Sequence, residues 1–599
     1  MSTVNIAYSR KQLAPLLEKS VAPETLIPEL TAAARDRTQL TEHPAIADLL
    51  AQGSDVLAEV YSIPQLTYTM YRDVQRKTER FIYERPFHAR RARLAAAALQ
   101  VLLGNDEYLN IMYDYMWAMC EESVWIVPQR EDLTIDLRTA ATIMDLSEIC
   151  IAMRDKVEDR IIARVQSEIE RRVFGDYLAN HESFVWYLGK NNWNGVCNGG
   201  IGAAFLLWEK DPARLAQALE VVLRGLNHFL ATAFEEDGAS SEGIGYWQYG
   251  LSNFIAFSEM LRIRTGGTID LLDNDRVREI CRYPLAVMLS PERYFAYSDC
   301  NEHNTFDAGL MARLSQRAAV PRLMDVIAET NAVVRTFNLF HTSWRSVLWW
   351  DGVRPQSARV DDVHLPQGGI ARIRGETAGN ASVVLAAKAG HNGVSHNHND
   401  AGTFVVHVDG ETLLCDPERG LYDNYKKFGH ENVLFSNSYG HSVPIIAGTP
   451  QSLGAQYAST VTVFDTAADK KTITMELGGA YDVPELDHAT RTFELLTSGA
   501  QKGQITISGR FATSGDPVSV EEAFVTWNQV LVAGRRAYVI GARRILLLEI
   551  DEPAEAVFSL EVKDEESAAN SKPVPLKRLS CTTPADTRVQ TLVRMTVLP

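Results

Sequence analysis

Apolar residues recur along this chain with two different periods, and the change from one to the other divides it. Up to about residue 340 the pattern is helical. Leu215, Leu219, Val222, Leu226 and Phe229 fall at alternating spacings of four and three, which places them on one helix face. Asp211-Pro212 ahead of them supplies a cap and a first-turn proline. Arg91 to Gly104 is rich in Ala and Leu and stops on glycine, and Leu137 to Met153, Glu158 to Val173 and Arg276 to Leu289 read as further amphipathic helices. Many such helices joined by Gly- and Asn-rich loops predict paired helices in a toroid or a solenoid, although no strict repeat is present.

After about residue 350 the period becomes two. Gly369 to Arg374, Ser382 to Ala387, Thr403 to Cys415, Ala458 to Phe464, Lys471 to Leu477, Thr490 to Leu496, Gln504 to Arg510 and Gln529 to Ile540 read as strands of an all-β sandwich. Trp344 to Pro355 is the expected connection. The chain is therefore read as an α+β protein of two domains, helical over residues 1–345 and β-sandwich over 346–599. The chemistry-bearing loops fall in both.

The most informative stretch lies in the second half, Gly393-Val394-Ser395-His396-Asn397-His398-Asn399-Asp400-Ala401-Gly402. It feeds an alternating run that turns at Asp409-Gly410, a strong hairpin signal, and returns to Asp416. With the turn there, residue 403 faces residue 416, and His396, His398 and Asp416 collect at the open end of the hairpin. His441 follows in a second Gly-rich loop. Two histidines and a carboxylate make a zinc ligand set, and a remaining histidine is available for proton transfer.

Composition narrows the function. A formal net charge of −17 argues against a general nucleic-acid or anionic-membrane binder, while leaving room for a local basic cleft. No apolar run is long enough for a membrane span, and the first residues lack a secretory leader. The seven cysteines are scattered, as in reduced cytosolic proteins. The expected location is cytoplasmic, or periplasmic or secreted had a leader been removed.

In the helical half, Asn191-Asn192-Trp193-Asn194 opens a block of amides that either cap a helix or donate hydrogen bonds to a carboxylate. A Gly-rich loop from Asp237 carries Glu242 and leads to Tyr246, Trp247 and Tyr249. These aromatics either pack beneath the loop or stack on sugar rings, and a tyrosine hydroxyl can move a proton. A third polar run, Tyr297 to Asn304, either borders the same cleft or caps helices, and the structural reading is preferred.

These segments, in this order, resemble the heparinase II/III-like polysaccharide lyases, a group that includes alginate lyases. The matching blocks are Asn191-Asn192-Trp193-Asn194, Glu242-Gly243 with Tyr246, His396-x-His398-x-Asp400-x-Gly402, Asp416-Pro417 and Gly440-His441, over about residues 60 to 460. The resemblance implies an N-terminal (α/α) toroid followed by an antiparallel β-sandwich. It implies β-elimination on a uronic acid, with Tyr246 and His396 in proton transfer and Asn191, Asn192 or Asn194 neutralising the substrate carboxylate. Some relatives carry a histidine in the first block, and its absence here favours Tyr246 as base and acid. It further implies zinc at His398, Asp416 and His441, in a structural role. Trp193, Glu242, Trp247, Tyr249, Tyr422 and Tyr425 are the expected substrate-binding residues, with His430 a weaker candidate. The implied partner is an anionic uronic-acid-containing glycan, glycosaminoglycan or alginate; the lack of a visible leader favours short imported oligosaccharides, hence exo or oligosaccharide action. The oligomeric state is left open, a homodimer included. Two other readings compete: an inverting glycosidase drawing its carboxylates from Glu235, Glu236, Asp237 and Glu242, and a carbohydrate-binding protein without catalysis.

Overall fold

In the computed structural model, described over residues 5–77, 79–328, 339–394 and 396–598, helices dominate up to Leu348 and strands thereafter. The chain forms two compact units, and the cut between them is not single. The first unit comprises Met1–Phe234, Tyr246–Cys281 and Thr305–Ser357. The second comprises Ala358–Pro599 together with Glu235–Gly245 and Arg282–Asn304, two segments that interrupt the helical half in sequence.

The first unit is an (α/α) toroid. The predicted helix face is realised in the helix Pro212–Thr232, where Leu215, Leu219, Val222, Leu226 and Phe229 are all buried and the Asp211 carboxylate accepts from the Ala213 amide. Helix Phe81–Leu103 ends as expected on Gly104 in the left-handed conformation. The helix expected from Glu158 runs Asp159–Ile169 and continues as a π-helical turn to Phe174. Trp344 to Pro355 is not all connection. The helix Phe340–Leu348 takes in its first half, because the Trp344 indole and the Arg345 guanidinium are drawn into the interior by the buried Glu148 carboxylate. That helix packs against Phe81–Leu103 and Leu137–Ala152 and so closes the ring.

The helices that carry the two predicted motifs of this unit touch at unusually short range. Gly195, Gly199 and Gly202 form a stripe on the helix Asn192–Trp208. A Cβ at Gly199 would stand 2.6 Å from the Asn253 carbonyl carbon, and one at Gly202 would stand 2.7 Å from the Phe257 ring. Glycine there lets the helix Ile244–Arg264, which begins two residues before Tyr246, lie against the Asn-bearing helix.

The second unit is an antiparallel sandwich. Among the described residues it has a nine-stranded, a five-stranded and a four-stranded sheet, and a short two-stranded one. One core joins Leu385, Phe404 and Val406 of the five-stranded sheet to Ile473, Phe493, Ile507 and Leu548 of the nine-stranded one and Phe524 and Leu579 of the four-stranded one. Each such fully buried side chain contributes about 1.5–3 kcal/mol. The run Gln529 to Ile540 is two strands, Gln529–Ala533 and Arg536–Ile540, broken where Gly534 adopts a φ of 65°.

The segments 235–245 and 282–304 join the sandwich through specific polar bonds. The Asp237 carboxylate accepts from the amides of Gln367 and Gly368 at 2.8 and 3.1 Å. The buried Arg372 guanidinium donates to the carbonyls of Leu285 and Met288 at 2.8 and 2.5 Å. The two segments are also tied to each other, the Tyr297 and Ser298 hydroxyls donating to the carbonyls of Ser240 and Ser241, both at 3.1 Å.

Candidate active site

The hairpin predicted around Asp409-Gly410 pairs Phe404–Val408 with Glu411–Leu414. Asp409 and Gly410 both have positive φ, 47° and 83°, the signature of a two-residue turn that matches strand twist. Val408 faces Glu411 and His407 faces Thr412, but the register then slips and Val406 faces Leu414. Residue 403 therefore does not face 416 as the uninterrupted register requires, because the extra residue of a bulge intervenes.

Asp416 nevertheless joins His398 and His441. One ligand-type atom from each lies within 4.8 Å of the others, and all three side chains are buried. His441 Nδ1 is 3.2 Å from Asp416 Oδ2. Donors about 2.0–2.2 Å from a tetrahedral ion stand roughly this far apart. His398 Nδ1 and His441 Nε2 are buried without hydrogen-bond partners. Buried imidazole nitrogens left in that state carry a desolvation cost that a metal removes, so the donor set fits zinc.

His396 sits at the mouth of this cluster, a quarter of its side chain exposed, with its backbone in the left-handed region at φ 58°. That conformation costs a non-glycine residue about 1–2 kcal/mol and marks many functional positions. The preceding Ser395 lies outside the described residues. His396 Nδ1 is 2.8 Å from Asp299 Oδ2 and 3.2 Å from the Tyr422 hydroxyl. Its Nε2 is 3.6 Å from Glu242 Oε1. The other oxygen of Asp299 is 3.3 Å from His398 Nε2 and accepts from the Tyr425 hydroxyl at 3.2 Å. Burial pushes the Asp299 carboxyl up, but the hydrogen bonds and charges of His396 and His398 outweigh it and hold the carboxyl well below the usual carboxylate range. Burial, and the Asp299 charge beside it, push the Tyr425 phenol up.

Several expected residues have other employment. Tyr425 is buried, and its hydroxyl accepts from the Gly420 amide while donating to Asp299, so it braces the cluster and has little surface to offer a sugar. Glu242 is buried beside His396. Trp247 is 1% exposed and its indole donates to the Ile280 carbonyl, which makes it a core residue and corrects its reading as a sugar platform. Tyr246 and Tyr249, on the first turns of their helix, are half-buried. Asn191 is the helix cap, accepting from the Trp193 amide. Asn194 is fully buried, donates to the Tyr187 carbonyl and accepts from Asn198. Trp193 is half-buried beneath the Arg130 guanidinium, 5.0 Å from the ring. Asp400, from the histidine motif, is a buried ion-pair partner of Lys388.

Asp299 is the residue that sequence reasoning missed. It belongs to the run Tyr297 to Asn304, for which capping is preferred over a place at the cleft, and nothing in spacing ties it to a histidine 97 residues away. Among the described residues a second potential ligand group, Asp299, His398 and His430, shares His398 with the first.

Residues 358–496 match the family model for the heparinase II/III-like C-terminal domain. No curated protein matches the chain in sequence. Among solved structures, heparan sulfate lyase HepC from Pedobacter heparinus is similar over 98% of this chain and 93% of its own, with a TM-score of 0.59 and 13% identity. A structure of heparinase III is similar over 97% of this chain and 94% of its own, with a TM-score of 0.61 and 11% identity. The chain thus carries a heparinase II/III-like C-terminal domain on a fold that it shares, over nearly its whole length, with heparinase III structures.

Proposed function

We propose that the protein is a polysaccharide lyase that cleaves a uronic-acid-containing glycan, glycosaminoglycan or alginate, by β-elimination. The observation that carries this reading is His396, held by the buried Asp299 carboxylate close to a histidine–aspartate set that could hold a metal, with both histidines of the motif in the segment that matches the heparinase II/III-like model. In the reaction the C5 proton leaves to a base, the C4–O4 bond breaks as the C4–C5 double bond forms, and the departing O4 takes a proton. Charge that builds on the uronate carboxylate must be met by fixed donors. Tyr246 is assigned the proton transfers at C5 and O4, and His396 the support of that exchange. The carboxylate is assigned to the block Asn191, Asn192 and Asn194, of which Asn191 also caps its helix and Asn194 also makes core hydrogen bonds. His398, Asp416 and His441 would hold zinc. The ion would supply a fixed positive centre that immobilises the loops on either side of the hairpin and with them His396.

The glycosidase alternative loses a carboxylate, because Asp237 is engaged by two backbone amides of the turn at Gln367-Gly368. The reading is tested by incubating the purified protein with heparin, heparan sulfate, chondroitin, hyaluronan and alginate while following ultraviolet absorbance. A lyase generates the conjugated 4,5-unsaturated uronate, which absorbs. Release of reducing ends without absorbance would establish hydrolysis, and binding without product would establish a non-catalytic protein.

A further inference from the structure

We propose that Asp299 is the positioning residue for His396 and at the same time the carboxylate that orients His398, so that one side chain ties the histidine assigned to the reaction to the metal-binding set. This rests on the lyase reading for the role of His396 but not for the link to His398.

An ionised carboxylate only accepts hydrogen bonds. Asp299 is 4% exposed and spends one oxygen on each ring: Oδ2 on His396 Nδ1 at 2.8 Å and Oδ1 on His398 Nε2 at 3.3 Å. Both rings must therefore turn an N–H toward it. A neutral His398 with its proton on Nε2 has its lone pair on Nδ1, and Nδ1 is buried without a hydrogen-bond partner, available as the donor to a metal. His396 Nε2 faces the other way, 3.6 Å from Glu242 Oε1, so Asp299 sets the ring's orientation through Nδ1. Metal-binding histidines commonly give their second N–H to a carboxylate, which fixes tautomer and ring angle. Here that carboxylate is shared with a second histidine two residues away. Asp299 is itself braced by the Tyr425 hydroxyl.

The test uses Asp299→Asn in the full zinc-loaded protein. The amide keeps the volume but offers one acceptor oxygen, and its NH₂ opposes one of the two ring N–H groups. Zinc affinity, read by competition with a chromophoric chelator, is expected to fall about 10–100-fold, and kcat by a similar factor with KM changed less than twofold. In a His396→Ala background the substitution should cost no further kcat while the loss of zinc affinity persists, since the two effects run through different rings. Zinc affinity within twofold of wild type, or an equal kcat loss in both backgrounds, would overturn the proposal. If Asp299→Asn does not fold, Asp299→Glu carries the same measurements. It keeps both acceptor oxygens and is expected to bind zinc more tightly than Asp299→Ala; equal affinity in the two would also overturn the proposal. A wild-type protein that forms no unsaturated product on any glycan defeats the lyase reading instead, and the zinc arm still decides the link to His398.

Discussion

His396 and His398 are two residues apart and have the same side chain, yet their surroundings give them opposite prospects. His398 is fully buried with Nε2 on Asp299 and Nδ1 without a hydrogen-bond partner, whereas His396 keeps a quarter of its side chain exposed. Replacing each by alanine should therefore separate the roles. His398→Ala is expected to lose zinc as measured in freshly purified protein, while His396→Ala should retain one zinc per chain and lose turnover. Full zinc occupancy after His398→Ala would contradict the ligand assignment. At Tyr246 the expected effect is on chemistry alone. Tyr246→Phe removes one hydroxyl from a half-buried side chain, so the melting temperature should hold while turnover drops by about 10²–10⁴-fold, the usual contribution of a proton-transfer group. Near wild-type turnover would remove Tyr246 from the mechanism.

Among the elements, the helix pair of the toroid shows how sequence composition sets a distance. The glycine stripe on Asn192–Trp208 leaves no room for side chains against Ile244–Arg264, so the two helices that bear Asn192 and Tyr246 are held at backbone contact. Gly199→Ala would push a methyl group against the backbone of Asn253 and is expected to destabilise by about 1–3 kcal/mol in denaturant unfolding. Gly175→Ala is the matching control. Its new methyl would meet nothing closer than the Glu170 carbonyl at 3.6 Å, so it should be neutral or stabilising by up to about 1 kcal/mol. Equal losses at both positions would show that helix spacing does not depend on the stripe. In the sandwich, the buried Arg491 donates to the carbonyls of Gly402 and Ser442 while pairing with Glu522. It thereby ties the loop after the histidine motif to the residue following His441.

For the whole molecule, the buried His407 makes stability depend on pH in a definite direction. Its two nitrogens lie 2.9 Å from the hydroxyls of Thr412 and Ser290, and burial, with the charge of Arg293, lowers its pKa to about 3. The unfolded chain titrates this group near about 6.5. Between those values the unfolded state binds a proton that the folded state refuses, so stability rises with pH across that window. The stability is complete above the unfolded value and is lost as pH falls toward the folded one. Denaturant unfolding of the protein and of His407→Gln at a series of pH values should show a shallower acid limb in the variant. An unchanged slope would mean that other groups carry the acid sensitivity. Among the described residues no helix is long and apolar enough to cross a membrane.

The sequence by itself determined the two periods, and with them the toroid and the sandwich, because helix and strand patterning is local and is written in neighbouring residues. It also determined the turn at Asp409-Gly410 and the caps at Asp211 and Gly104, since turn and cap chemistry acts within a few residues. The meeting of His398, Asp416 and His441 was legible as far as the hairpin reached, although the bulge shifted its register. Only the tertiary structure decided that Trp247 belongs to a core, that Asn191 and Asn194 are engaged, and that segments 235–245 and 282–304 fold with the sandwich. It alone brought Asp299 between two histidines nearly a hundred residues away. Such a contact leaves no periodic trace: a buried carboxylate and the rings it holds are selected by distance in space, and linear spacing records that only when the intervening chain is a single turn.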